Sequence, residues 1–482
     1  MSRSSRPRHP LDDTPVSAWE SVIGLEVHAH LKTRTKMFCR CELEYGAAEN
    51  TRTCPICLAH PGALPVVNAR AIELTLALGL ALGCELPARA VFARKNYFYP
   101  DLPKGYQISQ YEEPLCGAGE LAIPTAQGRE RVGIVRAHLE EDAAKTVHAG
   151  GATGRSVGAD YSLVDFNRGG TPLLEIVTEP DLRSAEEALR FLRLLRQTIV
   201  ELGVSDAEME KGTLRCDVNV SVRERGEEGY RPRWEIKNMN SFTFIGRAIE
   251  AALRQQIAAH EAGEDVGQST YDYDPDTDTL TAHRSKEEAD DYRYFPEPDL
   301  VPVEPPAKLV ERLRAEQPEL PGARIERYAA ELGFERAGEL VMTGNEANAV
   351  LLVVQGLDLD AAATVSMNQL AGRTLLSENA RPLVEVVQAG NLTREALNAA
   401  FDASTERPIS ADEFLGQTAV SDEATLGPAV DAVLAANPQQ VETYRGGKEG
   451  VLGFLVGQVM RETQGKADPA VVNRLLRERL SS

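Results

Sequence analysis

The chain has 482 residues, 43% of them hydrophobic and 26% charged, with a formal net charge of −21. This is the composition of a globular protein large enough for several domains. No apolar run approaches the roughly 18 residues that cross a bilayer, and the acidic balance argues against nucleic acid unless a basic face lies beneath the sum.

The start, MSRSSRPRHPLDD, is basic and Pro-rich and lacks the apolar core of a signal peptide. Residues 1–20 are read as a disordered leader, and the expected location is cytoplasmic. IGLEVHAHLKT follows, in which Ile23, Leu25, Val27 and Ala29 alternate with Gly24, Glu26, His28 and His30. A strand here is apolar on one side and carries a carboxylate and two imidazoles on the other. That polar side is either a solvated surface or a site.

Seven cysteines, an odd number in a long chain, argue for thiols or a metal rather than a disulfide framework. Cys39 and Cys41, then Cys54 and Cys57, form two close pairs about a dozen residues apart. Such pairs can surround one tetrahedral zinc, and an all-sulfur site is structural, because catalysis needs an open position. The competing reading is four incidental thiols. Cys84, Cys116 and Cys216 read as small core residues.

RKNYFYPDLPKGYQISQYEEPL sets Arg94 and Lys95 before a loop-like run of Tyr, Phe and Pro. It suits a phosphate or a planar ligand by ion pairing and stacking, or else ordinary core packing. RAHLEEDAAK supplies Glu140, Glu141 and Asp142, and NRGGTPLLEIV places Glu175 inside an apolar strand, where a carboxylate is costly to bury uncompensated. Ser184-x-x-Glu187 caps one clear helix, with an apolar stripe from Leu189 to Leu202 and a stop at Gly203. In GTLRCDVNVSVR, Asp217 and Asn219 face opposite to Cys216 and Val218, and in RWEIKNMNSF, Glu235 and Lys237 face opposite to Trp234 and Ile236. Several carboxylates on different strands, joined by an imidazole, are what Mg²⁺ requires; taken singly, each is a salt bridge at a sheet edge.

Prolines between Pro296 and Pro306 punctuate the chain, and from Lys308 the spacing is helical. A second break at Arg407-Pro408 sets off a tail in which residues 441–482 hold seven Lys/Arg against five Asp/Glu. Val451, Leu455, Val459 and Met460 share a stripe there, with Lys448, Arg461 and Lys466 near its ends. These cations line either a solvated helix or a phosphate-contacting face. The expected class is α+β: a β-rich domain over residues 21–300, a helical domain over 301–407 and a small all-α tail over 408–482.

IGLEVHAHLKTRTKMFCRC, CPICLAHPGALPVVN, RKNYFYPDLPKGYQISQ, HLEEDAAK, DFNRGGTPLLEIVTEPD, GTLRCDVNVSVR, EIKNMNSF and DYRYFPEPDL stand in that order. Together they resemble the B subunit of the bacterial tRNA-dependent amidotransferases, GatB, and GKEGVLGFLVGQVMRETQGKADPAVVN resembles that family's tail domain. The resemblance covers nearly the whole chain. It implies a cradle with a glutamine-synthetase-like antiparallel sheet, then a helical domain and a tail that grips tRNA.

It also implies ATP-dependent amidation of Glu-tRNA(Gln) or Asp-tRNA(Asn). The side-chain carboxylate is phosphorylated, then attacked by ammonia that an amidase subunit, GatA, releases from glutamine, while a small subunit, GatC, joins the two. Matched motif by motif, His28, Glu141 and Glu175 fall at the family's Mg²⁺ ligands. Glu26, Asp217 and Glu235 fall at further acidic positions of the pocket, and Lys95 at its lysine, against ATP phosphate or the acyl phosphate. Arg94 and Lys237 are candidates for nucleotide or tRNA contact, with Lys237, Asn238 and Glu140 as supporting residues; Lys448, Arg461 and Lys466 are candidates on the tail. Two departures are Ala144, where the family pattern has Gly, and a longer loop over 146–160. The residues alone also permit a divalent-metal hydrolase or a non-catalytic tRNA-binding subunit. No Ser-Ser-Lys amidase signature is present, so the chain is not expected to make its own ammonia.

Overall fold

The computed structural model describes residues 18–150, 159–284, 292–390, 392–416 and 420–481. Residues 1–17 of the predicted leader and part of the 146–160 loop lie outside the described residues, as does the side chain of Asn238. The first strand, β1 (Trp19–His30), already takes in the last two leader positions.

β1 forms as its alternation dictates. Ile23, Leu25, Val27 and Ala29 are at most 1% exposed, while Glu26, His28 and His30 are partly open on the other face. Among the described residues twelve further strands follow: β2 (Ala93–Asn96), β3 (Tyr106–Ser109), β4 (Gly119–Thr125), β5 (Gly128–Glu141), β6 (Lys145–Ala149), β7 (Tyr161–Asp165), β8 (Pro172–Thr178), β9 (Leu214–Glu224), β10 (Trp234–Met239), β11 (Ser269–Asp274), β12 (Thr279–Arg284) and β13 (Phe295–Pro296). Eight of them make one sheet in the order β12-β11-β10-β9-β1-β8-β5-β4. β13-β2-β3 form a second sheet and β6-β7 a hairpin.

Within the described residues the large sheet is antiparallel except where β10 runs parallel to β11. This departs from the all-antiparallel expectation. Parallel neighbours need a crossover, and the helix Phe242–Glu261 supplies it.

Among the described residues three helices, not one, interrupt the strands. α1 (Ala69–Ala81) is apolar almost throughout and starts at Asn68, whose side chain accepts from the Arg70 and Ala71 amides. Lacking a polar stripe, it gives no amphipathic signal. α2 (Ala185–Glu201) is the predicted capped helix: Ser184 accepts from the Glu187 amide, and the Glu187 carboxylate in turn accepts from the Arg183 amide at 2.7 Å. Gly203, at φ +63°, turns the chain out of it. α3 is the Phe242–Glu261 crossover, burying Ile245, Ala248, Ile249 and Ala252. α1, α2 and α3 share one apolar cluster with the buried face of the sheet, including Leu74, Leu78, Phe191 and Leu195.

The chain divides into two compact units, Met1–Arg327 and Tyr328–Ser482. The first continues past residue 300 because α4 (Ala307–Glu316) sets Leu309 and Leu313 against its core. The second is helical. Its last part gathers Leu426, Val430, Leu455, Val459, Val472 and Leu476 into a separate cluster spanning the predicted tail.

Candidate active site

The polar face of the large sheet is set by register. His28 on β1 stands opposite Glu175 on β8, and Glu175 stands opposite His138 on β5, so the three form one row across three strands. The carboxylate predicted as costly between Leu174 and Ile176 is thereby flanked by two imidazoles: His28 Nε2 lies 3.4 Å and His138 Nε2 3.6 Å from Glu175 Oε2. Ligand atoms of His28, Glu140 and Glu175 lie within 4.8 Å of one another. Two residues along β1, about 7 Å away, Glu26 stands opposite Asp217, and Glu26, Asp217 and Glu235 form a second group within the same span.

Glu141, expected beside His28 and Glu175, is not among them. On β5, Ala137 and Leu139 point into the core, so alternation puts Glu141 on their side and Glu140 on the side of His138. Glu141 meets Lys104 Nζ at 2.6 Å and accepts from the Ile108 amide at 3.1 Å. It lines a cavity of about 250 Å³ with Lys36, Cys57, Lys104 and Tyr106. Glu140 takes its place and accepts from the Ser109 hydroxyl at 3.2 Å.

The electrostatics of the first group are those of charges held away from water. Burial and the charge on Glu175 push Glu140 up to about 7. Burial acts against charge on Glu175 also, but His138, His28 and Lys95 outweigh it and hold Glu175 well below the usual carboxylate range. Burial opposes protonation of His28 too, yet its bond to Glu175, with Asp217 and Glu140 nearby, raises it to about 9. For His138 burial prevails and lowers it to about 4, so its approach to Glu175 at neutral pH is not an ion pair. A divalent cation would relieve Glu140, and the imidazole and carboxylate donors fit Mg²⁺.

Lys95 sits on the short strand β2, its Nζ 4.8 Å from the Tyr292 ring centroid and 6.0 Å from that of Tyr97. Burial disfavours its charge, but Tyr294, Glu140 and Glu175 raise its pKa, so it is a cation facing the first group. Arg94, next on the strand, does not join it. Its guanidinium is clamped by the buried Glu297 at 2.7 and 2.8 Å and covers the Tyr106 ring at 4.2 Å. Lys237 Nζ lies 3.6 Å from Glu235 and 3.9 Å from Asp217, while Asn219 donates to Glu26 at 2.9 Å and Thr270 to Glu235 at 3.1 Å. Beside the groups, Asp142 is held well below its ordinary pKa, against burial, by Arg215, His30 and Arg168.

The four predicted cysteines converge, their sulfurs within 4.8 Å of one another and Cys54 and Cys57 3.9 Å apart. Tetrahedral zinc with bonds of about 2.3 Å needs sulfurs about 3.8 Å apart, so the spacing fits. A bond from Cys39, together with Lys36 Nζ at 3.6 Å, pulls Cys57 down to about 4, as a ligand thiolate requires. Lys448, Arg461 and Lys466 are exposed on the second unit.

The sequence reading did not name His138, and it set Glu140 among the supporting residues where the structure groups it with His28 and Glu175. The alternation Ala137, His138, Leu139, Glu140, Glu141 carries the signal for both, since only Glu140 is in phase with His138.

Residues 21–311 match the family model of the GatB/GatE catalytic domain and residues 355–480 that of the GatB domain. The chain is 48% identical to the B subunit of the aspartyl/glutamyl-tRNA(Asn/Gln) amidotransferase of Anaeromyxobacter dehalogenans (strain 2CP-1 / ATCC BAA-258), over 97% of this chain and 99% of the relative. To proteins of the same description it is 46% identical in Geobacter sulfurreducens, over 96% and 99%, and 43% in Nitratidesulfovibrio vulgaris (strain DP4), over 96% and 100%. Among the described residues no helix is long and apolar enough to cross a membrane. The chain, with its acidic sheet face and its four-cysteine knuckle, belongs to the family of the B subunits of aspartyl/glutamyl-tRNA amidotransferases, which are ligases working as part of a multi-subunit assembly.

Proposed function

We propose that this chain carries out the ATP-dependent amidation of misacylated Glu-tRNA(Gln) or Asp-tRNA(Asn), working in the cytoplasm with an amidase subunit, GatA, and a small subunit, GatC. The observation that supports this most is the pair of acidic groups side by side on one sheet face, with Lys95 facing the first of them. A carboxylate is a poor acceptor for ammonia, because it is anionic and its leaving group would be oxide. In the reaction one of its oxygens bonds to the γ-phosphorus of ATP while the bond to the β-phosphate oxygen breaks and ADP departs. Ammonia then bonds to the acyl carbon, inorganic phosphate leaves, and the surplus proton goes to it or to solvent.

In this reading His28, Glu140 and Glu175 hold one Mg²⁺, and Glu26, Asp217 and Glu235 hold a second. Bound there, Mg²⁺ would neutralise charge spread over the phosphate oxygens. Lys95 supplies a fixed cation to the transferring phosphoryl group, and Tyr97 and Tyr292 keep its ammonium from open water. Lys237 lies between Asp217 and Glu235 and offsets their charge. Cys39, Cys41, Cys54 and Cys57 hold a structural Zn²⁺. The tail cations Lys448, Arg461 and Lys466 engage tRNA phosphates.

The test combines the full chain with its amidase and small subunits, ATP, glutamine and each misacylated tRNA, and identifies the amino acid released from the tRNA. Gln or Asn is expected only when ATP is present. Amide formed without ATP would overturn the ATP-dependent step, and release of free Glu or Asp with deacylation of the tRNA, needing neither ATP nor glutamine, would point to the hydrolase and overturn the proposal.

A further inference from the structure

We propose that His138 and Arg136 act as a positioning pair for the first acidic group. Arg136 fixes the His138 ring so that its Nε2–H is presented to Glu175 and Glu140, and the ring orients these carboxylates instead of serving as a ligand. The inference rests on the reading of His28, Glu140 and Glu175 as the residues that hold a cation.

Two imidazoles flank Glu175, and the register alone does not tell them apart. Their neighbours do. A guanidinium only donates, and Arg136 Nε lies 3.3 Å from His138 Nδ1, so Nδ1 must accept and the ring proton sits on Nε2. Nε2 then has no lone pair for a metal. It lies 3.6 Å from Glu175 Oε2 and 3.9 Å from Glu140 Oε2, from where a small rotation of either carboxylate reaches the hydrogen-bond distance of about 2.9 Å.

Arg136 is itself held in place. Its guanidinium covers the Tyr111 ring at 5.6 Å, and Tyr111 stacks on Tyr294 with centroids 4.5 Å apart and planes 10° from parallel. His138, 3% exposed, lies between Arg136 and the two carboxylates. An imidazole so placed fixes which oxygen each carboxylate turns toward His28, the geometry on which cation affinity depends.

The test is Mn²⁺ binding to the full chain at neutral pH, followed by the electron paramagnetic resonance of free Mn²⁺. Pulsed measurement of ¹⁴N couplings then counts the bound imidazoles. His138→Ala should weaken binding by 10- to 100-fold, the usual range for removing a group that orients ligands, while His138→Gln, whose amide can donate from the same place, should stay within about threefold of the parent. Arg136→Met, which frees the tautomer, should lie between them. One imidazole nitrogen should couple to Mn²⁺ in the parent and persist in His138→Gln. Unchanged affinity in His138→Ala, or a second nitrogen lost in His138→Gln, overturns the positioning role. A parent chain that binds Mn²⁺ no better than Glu175→Gln overturns instead the cation reading beneath it.

Discussion

Glu140→Gln separates what the first acidic group does for function from what it does to stability. Burial and Glu175 raise the Glu140 carboxyl from 4.5 to about 7 in the metal-free protein. A carboxyl raised on folding contributes stability that is complete below its unfolded pKa and is lost as pH climbs through the folded one. The metal-free parent should therefore lose stability between about pH 4.5 and 7, and the neutral glutamine should not. At about 1.36 kcal/mol per pKa unit, the variant is expected to gain about 1 kcal/mol over the parent at pH 5 and ~3 kcal/mol at pH 8. Glu140 is 4% exposed, so little solvent screening reduces the figure. Urea unfolding in the presence of a chelator measures it, followed by the fluorescence of Trp19 and Trp234, the two tryptophans of the chain, both in the first compact unit. Mg²⁺ at a hundredfold excess over the parent's Kd should cancel most of the difference at pH 8, because binding stabilises the parent by about 2.7 kcal/mol and the variant less. A variant less stable than the parent at pH 8, or a difference that does not change with pH, would refute the account of a carboxylate buried against its charge.

Glu141→Gln is the matching control: it should leave Mn²⁺ affinity within about twofold. By stranding Lys104, it should cost the first unit about 3 kcal/mol in the same urea titration. The purified chain should hold one zinc by elemental analysis; Cys57→Ser should lower that content and reduce the midpoint of thermal unfolding. Alanine at Lys448, Arg461 and Lys466 together should weaken tRNA binding and reduce the slope of log affinity against log salt by up to about three, with ATP hydrolysis rates intact. Deleting residues after 410 should do more of the same, read as a raised KM for tRNA.

What the sequence made legible was local. The four cysteines lie within nineteen positions, so their convergence needed only a knuckle turn. β1 and β9 announced their polar sides by strict alternation, and α2 by a cap and a stripe. The losses came where partners are distant or where the pattern is uniform. α1 has no polar stripe, so its period is invisible, and the parallel β10–β11 pair depends on recognising α3 between them. Arg94 looked like a phosphate ligand because its anion, Glu297, lies some two hundred residues along the chain. The choice between Glu140 and Glu141 was within reach: matching a motif assigns a neighbourhood, whereas strand phase assigns a face, and only the second separates adjacent residues.

That adjacency has a structural consequence. Glu140 and Glu141 close the same strand and turn to opposite sides, one to the row of His28 and Glu175, the other to Lys104 in the cavity walled by Cys57 and Lys36. β3 holds both: Ser109 donates to the Glu140 carboxylate at 3.2 Å, the Ile108 amide to that of Glu141 at 3.1 Å, and Gln107 to the Glu141 carbonyl at 2.8 Å. β3 pairs with β2, which carries Lys95. The cation facing the first group and the donors that steer both carboxylates thus ride on a pair of four-residue strands. Two such strands contribute little stability alone, so their geometry depends on the groups they touch. The Glu140 carboxylate and the Lys104–Glu141 pair on the opposite side of β5 thus share one support, made by the Ser109 hydroxyl, the Ile108 amide and the Gln107 side chain.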